Sequence, residues 1–173
     1  INHYYWEYDD GTGTVEKSDD VYSYAYSNTG TASLNPKIKL RVTNAEGCDT
    51  AWSESISVHP QIRAAFNIDH SEICYPLPTA FINSSQPAVP LTYYWDFGDG
   101  SSSLNINPTH GYKNFSRTNS ETFNIALTAT SEHGCDSTIT HSVTIHPKPM
   151  AVFDFPLAVD CPPFPVQFTN GSI

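Results

Sequence analysis

The sequence predicts an all-β fold built of tandem β-sandwich units, on three observations. Thirteen Pro and nine Gly among 173 residues, with abundant Ser, Thr and Asn, punctuate the chain too often for long helices. Three Trp, ten Tyr and nine Phe supply large core side chains even though only 39% of residues are hydrophobic. The chain also repeats itself at a spacing near 87 residues, and self-similarity at a fixed period marks an array of like units.

The repeat sets the organisation. Tyr4-Tyr5-Trp6-Glu7-Tyr8-Asp9-Asp10-Gly11 matches Tyr93-Tyr94-Trp95-Asp96-Phe97-Gly98-Asp99-Gly100 at an offset of 89. Further on the offset is 87, aligning Gly47-Cys48-Asp49 with Gly134-Cys135-Asp136 and Ser57-Val58-His59-Pro60 with Thr144-Ile145-His146-Pro147. Phe66 aligns with Phe153, Cys74 with Cys161, and Phe81-Ile82-Asn83 with Phe168-Thr169-Asn170. On this phase residues 60–147 form one whole unit. Residues 1–59 are the last two-thirds of a unit before it and 148–173 the first third of one after it. Both end units are therefore expected to be truncated, the chain being a window on a longer array.

Within the whole unit, strands follow from period-2 alternation. Ala64–Ile68 opens it, and Phe81 centres the next strand. Tyr93, Trp95 and Phe97 share one face of another. Phe123, Ile125, Leu127 and Ala129 alternate with Asn124, Ala126, Thr128 and Thr130, as Ile38, Leu40 and Val42 do one repeat earlier. Ile139, Val143 and Ile145 alternate with Thr138, Thr140 and Thr144, echoing Trp52, Ile56 and Val58. Ser131-Glu132-His133-Gly134 links these last two strands as a short hairpin. About seven short strands with turns between them fit an immunoglobulin-like sandwich.

Charge excludes other classes. Eighteen Asp and Glu against eight Lys and Arg give a formal net charge of −10, which leaves no cationic footprint for nucleic acid. No apolar run approaches the ~18–20 residues of a membrane span, so no membrane insertion is expected. Ile1-Asn2-His3-Tyr4-Tyr5-Trp6 shows no basic stretch leading into an apolar one, and no signal peptide is read there.

Leu91-Thr92-Tyr93-Tyr94-Trp95-Asp96-Phe97-Gly98-Asp99-Gly100 resembles the signature of the PKD (polycystic kidney disease) domain family. Asn107-Pro108-Thr109-His110-Gly111-Tyr112 is similar to that family's Asn-Pro-Thr-His-x-Tyr segment, and Thr122 to Thr130 to its late strand. The resemblance covers 60–147. The motif residues have structural roles. Trp95 fills the space between sheets, Gly98 and Gly100 permit a sharp turn, and Asp96 and Asp99 bond nearby backbone amides. The first repeat keeps Trp6 and Gly11 but places Glu7, Tyr8 and Asp9 where the motif has Asp, Phe and Gly. Its turn is expected to be built differently.

Several residues invite chemical readings. Asp96 and Asp99 lie three apart in one hairpin, where capping the turn is simpler than serving as a glycosidase pair across a cleft. With Asp9 and Asp10 they offer hard oxygens to calcium, although no Asp-x-Asp-x-Asp-Gly loop is present. The histidines show no metal-ligand spacing: His59 and His146 precede prolines at unit junctions, His110 belongs to the family segment, and His70, His133 and His141 are scattered. Neither a zinc motif nor a nucleophile–base pattern is legible, so no cofactor and no catalysis are expected. Tyr4, Tyr22, Tyr24, Tyr26 and Tyr94 could stack on sugar rings, or instead cover the sheet and pack at unit contacts. Asp49-Thr50-Ala51 and Asp136-Ser137-Thr138 resemble the acceptor that certain gram-negative bacteria O-glycosylate, making Thr50 and Ser137 candidate sites. Asn83, Asn114 and Asn170 satisfy Asn-x-Ser/Thr.

The four cysteines are expected to be oxidised, as in small secreted domains. Counting favours Cys74 with Cys135, leaving Cys48 and Cys161 to partners outside the chain. A plain immunoglobulin topology objects, because it sets the first loop and the last hairpin at opposite ends. The alternative joins the last-hairpin cysteine of one unit to the first-loop cysteine of the unit before it. Acidic, cysteine-bearing repeats of this type resemble those of large bacterial surface proteins. The resulting expectation is a non-catalytic extracellular stalk or adhesin segment, in contact with neighbouring repeats and with surface polysaccharide or other surface proteins. The competing reading is a carbohydrate-binding accessory module of a secreted polysaccharide-degrading enzyme.

Overall fold

The structure, a computed structural model, describes residues 3–10, 13–17, 23–155 and 165–173. Among them lie strands β1 (His3–Glu7), β2 (Thr14–Lys17), β3 (Lys37–Thr43), β4 (Asp49–Ser55), β5 (Phe66–Ile68), β6 (Glu72–Cys74) and β7 (Thr79–Asn83). The chain continues through β8 (Leu91–Asp96), β9 (Ser102–Ser103), β10 (Thr109–His110), β11 (Glu121–Ser131), β12 (Asp136–His146), β13 (Phe153–Asp154) and β14 (Thr169–Asn170). The described residues contain no helix, and so none long and apolar enough to cross a membrane.

The middle of the chain is a β-sandwich. One sheet has the order β10-β7-β5 and the other β6-β12-β11-β8-β9. The neighbours β8, β11 and β12 pair antiparallel, while β6 adds to β12 in parallel. Alternation decides what each strand buries. Ile125, Leu127 and Ala129 of β11 and Val143 and Ile145 of β12 point inward and are fully buried. On the outer face Thr122 bonds Thr144 at 3.1 Å and Thr128 bonds Thr138 at 2.8 Å, hydroxyl to hydroxyl across the pair. The opposite sheet contributes Phe66 and Phe81, whose rings stand 5.0 and 5.6 Å from that of Trp95. Trp95 is 0% exposed and donates its Nε1–H to the Asn105 carbonyl at 2.9 Å. The sandwich is thus closed around one indole, as the sequence motif predicted.

Residues 3–55 form a four-stranded sheet in the order β2-β1-β3-β4. Its register reproduces that of the sandwich. Trp6 faces Leu40 and Leu40 faces Trp52, just as Trp95 faces Leu127 and Leu127 faces Ile139. Likewise β13 and β14 pair Phe153 with Asn170, the counterparts of Phe66 and Asn83 in β5 and β7.

The cysteine pairing favoured by counting is overturned. Cys74 lies opposite His146 in the parallel ladder, at the far end of β12, whereas Cys135 immediately precedes Asp136 at its start. Eleven residues of extended chain separate the two places, roughly 35 Å at the rise of a strand. A disulfide tolerates about 4.4–6.8 Å between Cα atoms. Cys48, Cys74 and Cys135 are exposed and form no disulfide among the described residues, and Cys161 lies outside them. The topological objection raised from the sequence was the sound one.

Candidate functional site

The most polar constellation of the molecule sits where β8 turns into β9. Asp96 Oδ1 accepts the Gly98 amide at 2.9 Å, and Asp99 Oδ1 accepts the Ser101 amide at 3.0 Å together with the Ser101 hydroxyl. Both are Asx turns, in which a short carboxylate replaces a backbone acceptor. Gly98 has φ 77°, and a Cβ there would come within 2.4 Å of the Asn124 carbonyl oxygen on β11. His110, from β10, lays its ring on Phe97 with centroids 4.2 Å apart and planes 7° apart. Its Nε2 lies 2.8 Å from Asp99 Oδ2 and 3.1 Å from Ser101 Oγ. Tyr112 is buried beneath and donates its hydroxyl to the Phe97 carbonyl at 3.1 Å.

Serine, histidine and aspartate are therefore together, but wired against catalysis. A carboxylate only accepts, so Nε2 must donate to Asp99. The same nitrogen faces Ser101 and is not free to take its proton, while that proton is already directed at Asp99. A catalytic base needs one ring nitrogen for the nucleophile and the other for the orienting acid. Partial burial works against the Asp99 charge, yet the bonds from Ser101 and His110 outweigh it and hold the carboxyl below the usual range. Burial, with the nearby charges of Asp99 and Asp96, raises the Tyr112 phenol above its ordinary value.

The N-terminal sheet carries the same arrangement in altered chemistry. Tyr24 stacks on Tyr8 at 3.9 Å and 6°, as His110 does on Phe97, and its hydroxyl donates to Asp10 Oδ2. Tyr26 donates to the Tyr8 carbonyl at 2.9 Å, in the place of Tyr112. Asp9 takes the position of Gly98 with φ 54° and accepts the Lys37 amide at 3.3 Å. Tyrosine serves where histidine stood, so the constellation requires a flat ring with a polar tip rather than a base. From the sequence this first turn was expected to be built differently; its Gly11 lies outside the described residues. Packing was the alternative to sugar stacking for Tyr24 and Tyr26, and Tyr24 stacks on Tyr8 while Tyr26 bonds the Tyr8 carbonyl.

A second recurrent feature lies at the ends of β4 and β12. The Asn28 side-chain amide donates to the Ala32 and Val58 carbonyls, both at 2.8 Å. Asn114 donates to Asn119 at 2.9 Å and to Ile145 at 2.8 Å. Ser33 Oγ lies 3.0 Å from His59 Nδ1, and Ser120 Oγ 2.8 Å from His146 Nδ1. His59 then stacks on His133, in the hairpin between β11 and β12, with centroids 3.5 Å apart and planes 14° apart. A cleft of about 250 Å³ opens beside this pair, walled by Thr31, Ser33, Pro60, Ile62, Pro90 and Glu132. Asn28, Ser33 and Ser120 went unremarked in the sequence and Asn114 was noted there only as a sequon, although the recurrence of these residues at offsets of 86 and 87 was a usable signal.

Comparison with known proteins agrees with this geometry. The PKD domain profile matches residues 57–146, just over half of the chain. The chain belongs to the PKD domain family. Among solved structures, the PKD1 domain of Vibrio anguillarum Epp is similar at 24% identity and a TM-score of 0.41, over 51% of this chain and 96% of that one. No curated protein sequence matches the chain. As a PKD domain, residues 57–146 are an immunoglobulin-like sandwich of a type that is typically non-catalytic.

The remaining candidates disperse over this PKD framework. Asp96 and Asp99 are occupied by their own turn, and among the described residues no three His, Cys, Asp or Glu groups gather as metal ligands. Tyr94 is exposed on the outer face of β8, Tyr4 is half-buried, and Tyr22 and Gly11 lie outside the described residues. Thr50 is exposed on β4. Ser137 is half-buried, and its Oγ accepts the Ala64 amide at 3.2 Å. Asn114 is buried with both donors of its side chain engaged, which closes that sequon.

Proposed function

We propose that this chain is a stretch of tandem PKD-type units forming a stiff, non-catalytic segment of an extracellular stalk, with 1–59 and 148–173 belonging to units of the same kind as 60–147. The supporting observation is the recurrence of the Asn28 and Asn114 clamps and of the Ser33–His59 and Ser120–His146 bonds at the end of each last strand. These bonds fix the chain where it leaves one unit, and the His59–His133 stack ties that exit to the next unit's last hairpin. The polar chemistry at Asp96, Asp99 and the two asparagine clamps thus holds turns and junctions, and the Ser101–His110–Asp99 cluster is closed on itself.

Residual dipolar couplings measured on residues 3–55 and 60–147 test the stiffness. One alignment tensor for both supports the stalk, and two independent tensors refute it. An antibody raised against 60–147 labels intact cells if the segment is displayed at the surface. The second reading, a carbohydrate-binding module, is favoured by the exposed ring of Tyr94 alone, and binding of the chain to a glycan array would establish it over the first.

A further inference from the structure

The outer face of the middle unit's larger sheet has a composition that the fold does not require. Tyr94 of β8, Thr128 of β11 and Thr138 of β12 stand in one row across three strands. Thr92 and Thr130 lie beside that row on one side. Ala126 with Thr140, Asn124 with Ser142 and Thr122 with Thr144 continue the face on the other. Charge is confined to the rim, where Glu72 lies opposite Thr144, Asp96 opposite Ala126 and Asp136 opposite Thr130. The strands of this sandwich, β5 to β12, all lie between Phe66 and His146, so the face is not left bare by a missing strand.

The N-terminal sheet supplies an internal comparison. Its corresponding face sets Lys37, Lys39 and Arg41 at the register positions of Asn124, Ala126 and Thr128. There Lys39 pairs with Glu7 at 3.4 Å and Arg41 with Asp49 at 2.8 Å. Tyr5, the counterpart of Tyr94, faces Arg41 and is half-buried, whereas Tyr94 faces Thr128 and is 49% exposed. The same strand pairing thus accommodates cations at these places, and sheet formation does not by itself account for the uncharged middle face.

We propose that this face binds a neutral polysaccharide laid flat across β8, β11 and β12, with Tyr94 as its stacking platform. The proposal deepens the carbohydrate-binding reading and rests on it, adding the site and the class of glycan. The electron-rich face of a tyrosine ring attracts the polarised C–H bonds of a pyranose. Each Ser or Thr hydroxyl offers one donor and two acceptors, as a sugar hydroxyl does. Bonding of Thr128 to Thr138 and of Thr122 to Thr144 uses one donor of each pair and leaves the other for a ligand. β-Branching holds the threonines to few rotamers, so ordering them on binding costs little. Neighbouring strands lie about 4.8 Å apart and same-face residues about 6.7 Å apart along a strand, a grid that an extended glycan can follow. With carboxylates at the rim and no Lys or Arg on the face, an acidic glycan is repelled.

The test is an amide NMR titration of the 173-residue chain with cellohexaose, laminarihexaose, mannohexaose and chitohexaose, and with hexagalacturonate as the acidic control. At least one neutral hexamer should shift the amides of β8, β11 and β12 to saturation, and hexagalacturonate should not. Tyr94→Ala should weaken that binding about tenfold or more. Thr128→Arg installs the cation that Arg41 supplies in the N-terminal sheet and should weaken it as much, with the Trp95 indole resonance unmoved as the check on folding. Shifts confined to other residues, or binding that Tyr94→Ala leaves unchanged, would overturn this face and leave the carbohydrate-binding reading standing. Hexagalacturonate bound here as tightly as any neutral hexamer would overturn the neutral class. No shift with any hexamer overturns the face, and silence on the glycan array as well overturns the carbohydrate-binding reading with it.

Discussion

Two glycines in one turn should respond very differently to the same substitution. Gly98 and Gly100 both have positive φ, 77° and 88°, and an alanine in that region costs about 1–2 kcal/mol. At Gly100 a Cβ would meet nothing within 4 Å, so Gly100→Ala should cost only that, near 1 kcal/mol at the tolerant end of the range. At Gly98 the Cβ would sit 2.4 Å from the Asn124 carbonyl oxygen and 3.1 Å from its amide nitrogen. Both are backbone atoms of β11 and cannot swing aside, so the turn and the strand must separate by nearly 1 Å. Overpacking of that kind adds about 1–3 kcal/mol, for a total near 3–4 kcal/mol in Gly98→Ala. Urea titration followed by the Trp95 indole N–H resonance reports the middle unit alone. Losses within about 0.5 kcal/mol of each other would refute the close approach to β11 as the reason for glycine. Gly98→Asp should recover part of the loss, because Asp9 stands in that position with φ 54° and bonds the Lys37 amide.

Other outcomes follow from the same geometry. Trp95→Ala should destabilise the middle unit by about 3–5 kcal/mol in the same titration, because it empties the centre of the core; a loss under about 1 kcal/mol would deny the indole its role. Asn114→Ala leaves the Ile145 and Asn119 carbonyls without their donor and should cost about 1–3 kcal/mol, measured by thermal unfolding. Asp99 titrates below its ordinary value in the folded state. Its contribution is therefore present above the unfolded carboxylate pKa, near 3.9, and is lost as pH falls through the folded value. Acid unfolding of Asp99→Asn should begin from a lower stability and show a shallower dependence below about pH 4, and an unchanged slope would contradict the assignment. Millimolar calcium or chelator should leave the melting temperature unmoved, since Asp96 and Asp99 already serve their own turn. A rise of several degrees would restore them as ligands.

Much of the fold was legible because burial in a strand has period two and the repeat supplied two readings of each strand. The inward set Ile125, Leu127 and Ala129 could be named from alternation alone, and Trp95 from its place in the turn motif. The same logic located the Asx turns of Asp96 and Asp99, which depend on residues two apart. Contacts that cross between strands were harder. The stacking of His110 on Phe97 and its bond to Asp99 join residues 11 to 13 apart, whose meeting depends on how β9 and β10 fall on opposite sheets. The tyrosines Tyr24 and Tyr26 were offered as sugar platforms because exposure cannot be read from residue type, whereas packing onto Tyr8 engages both.

By itself the sequence determined the class and a period near 87 residues: a β-sandwich in the middle of the chain, aromatic at its centre, with a turn capped by short carboxylates. These follow from local rules, the pleat and the turn, that act over a few residues. Tertiary structure decided the cysteines. The distance between Cys74 and Cys135 depends on which end of β12 receives β6, a parallel addition that no local pattern announces. Opposition across a sandwich is set by the packing of whole sheets, and that is a property of the assembled chain.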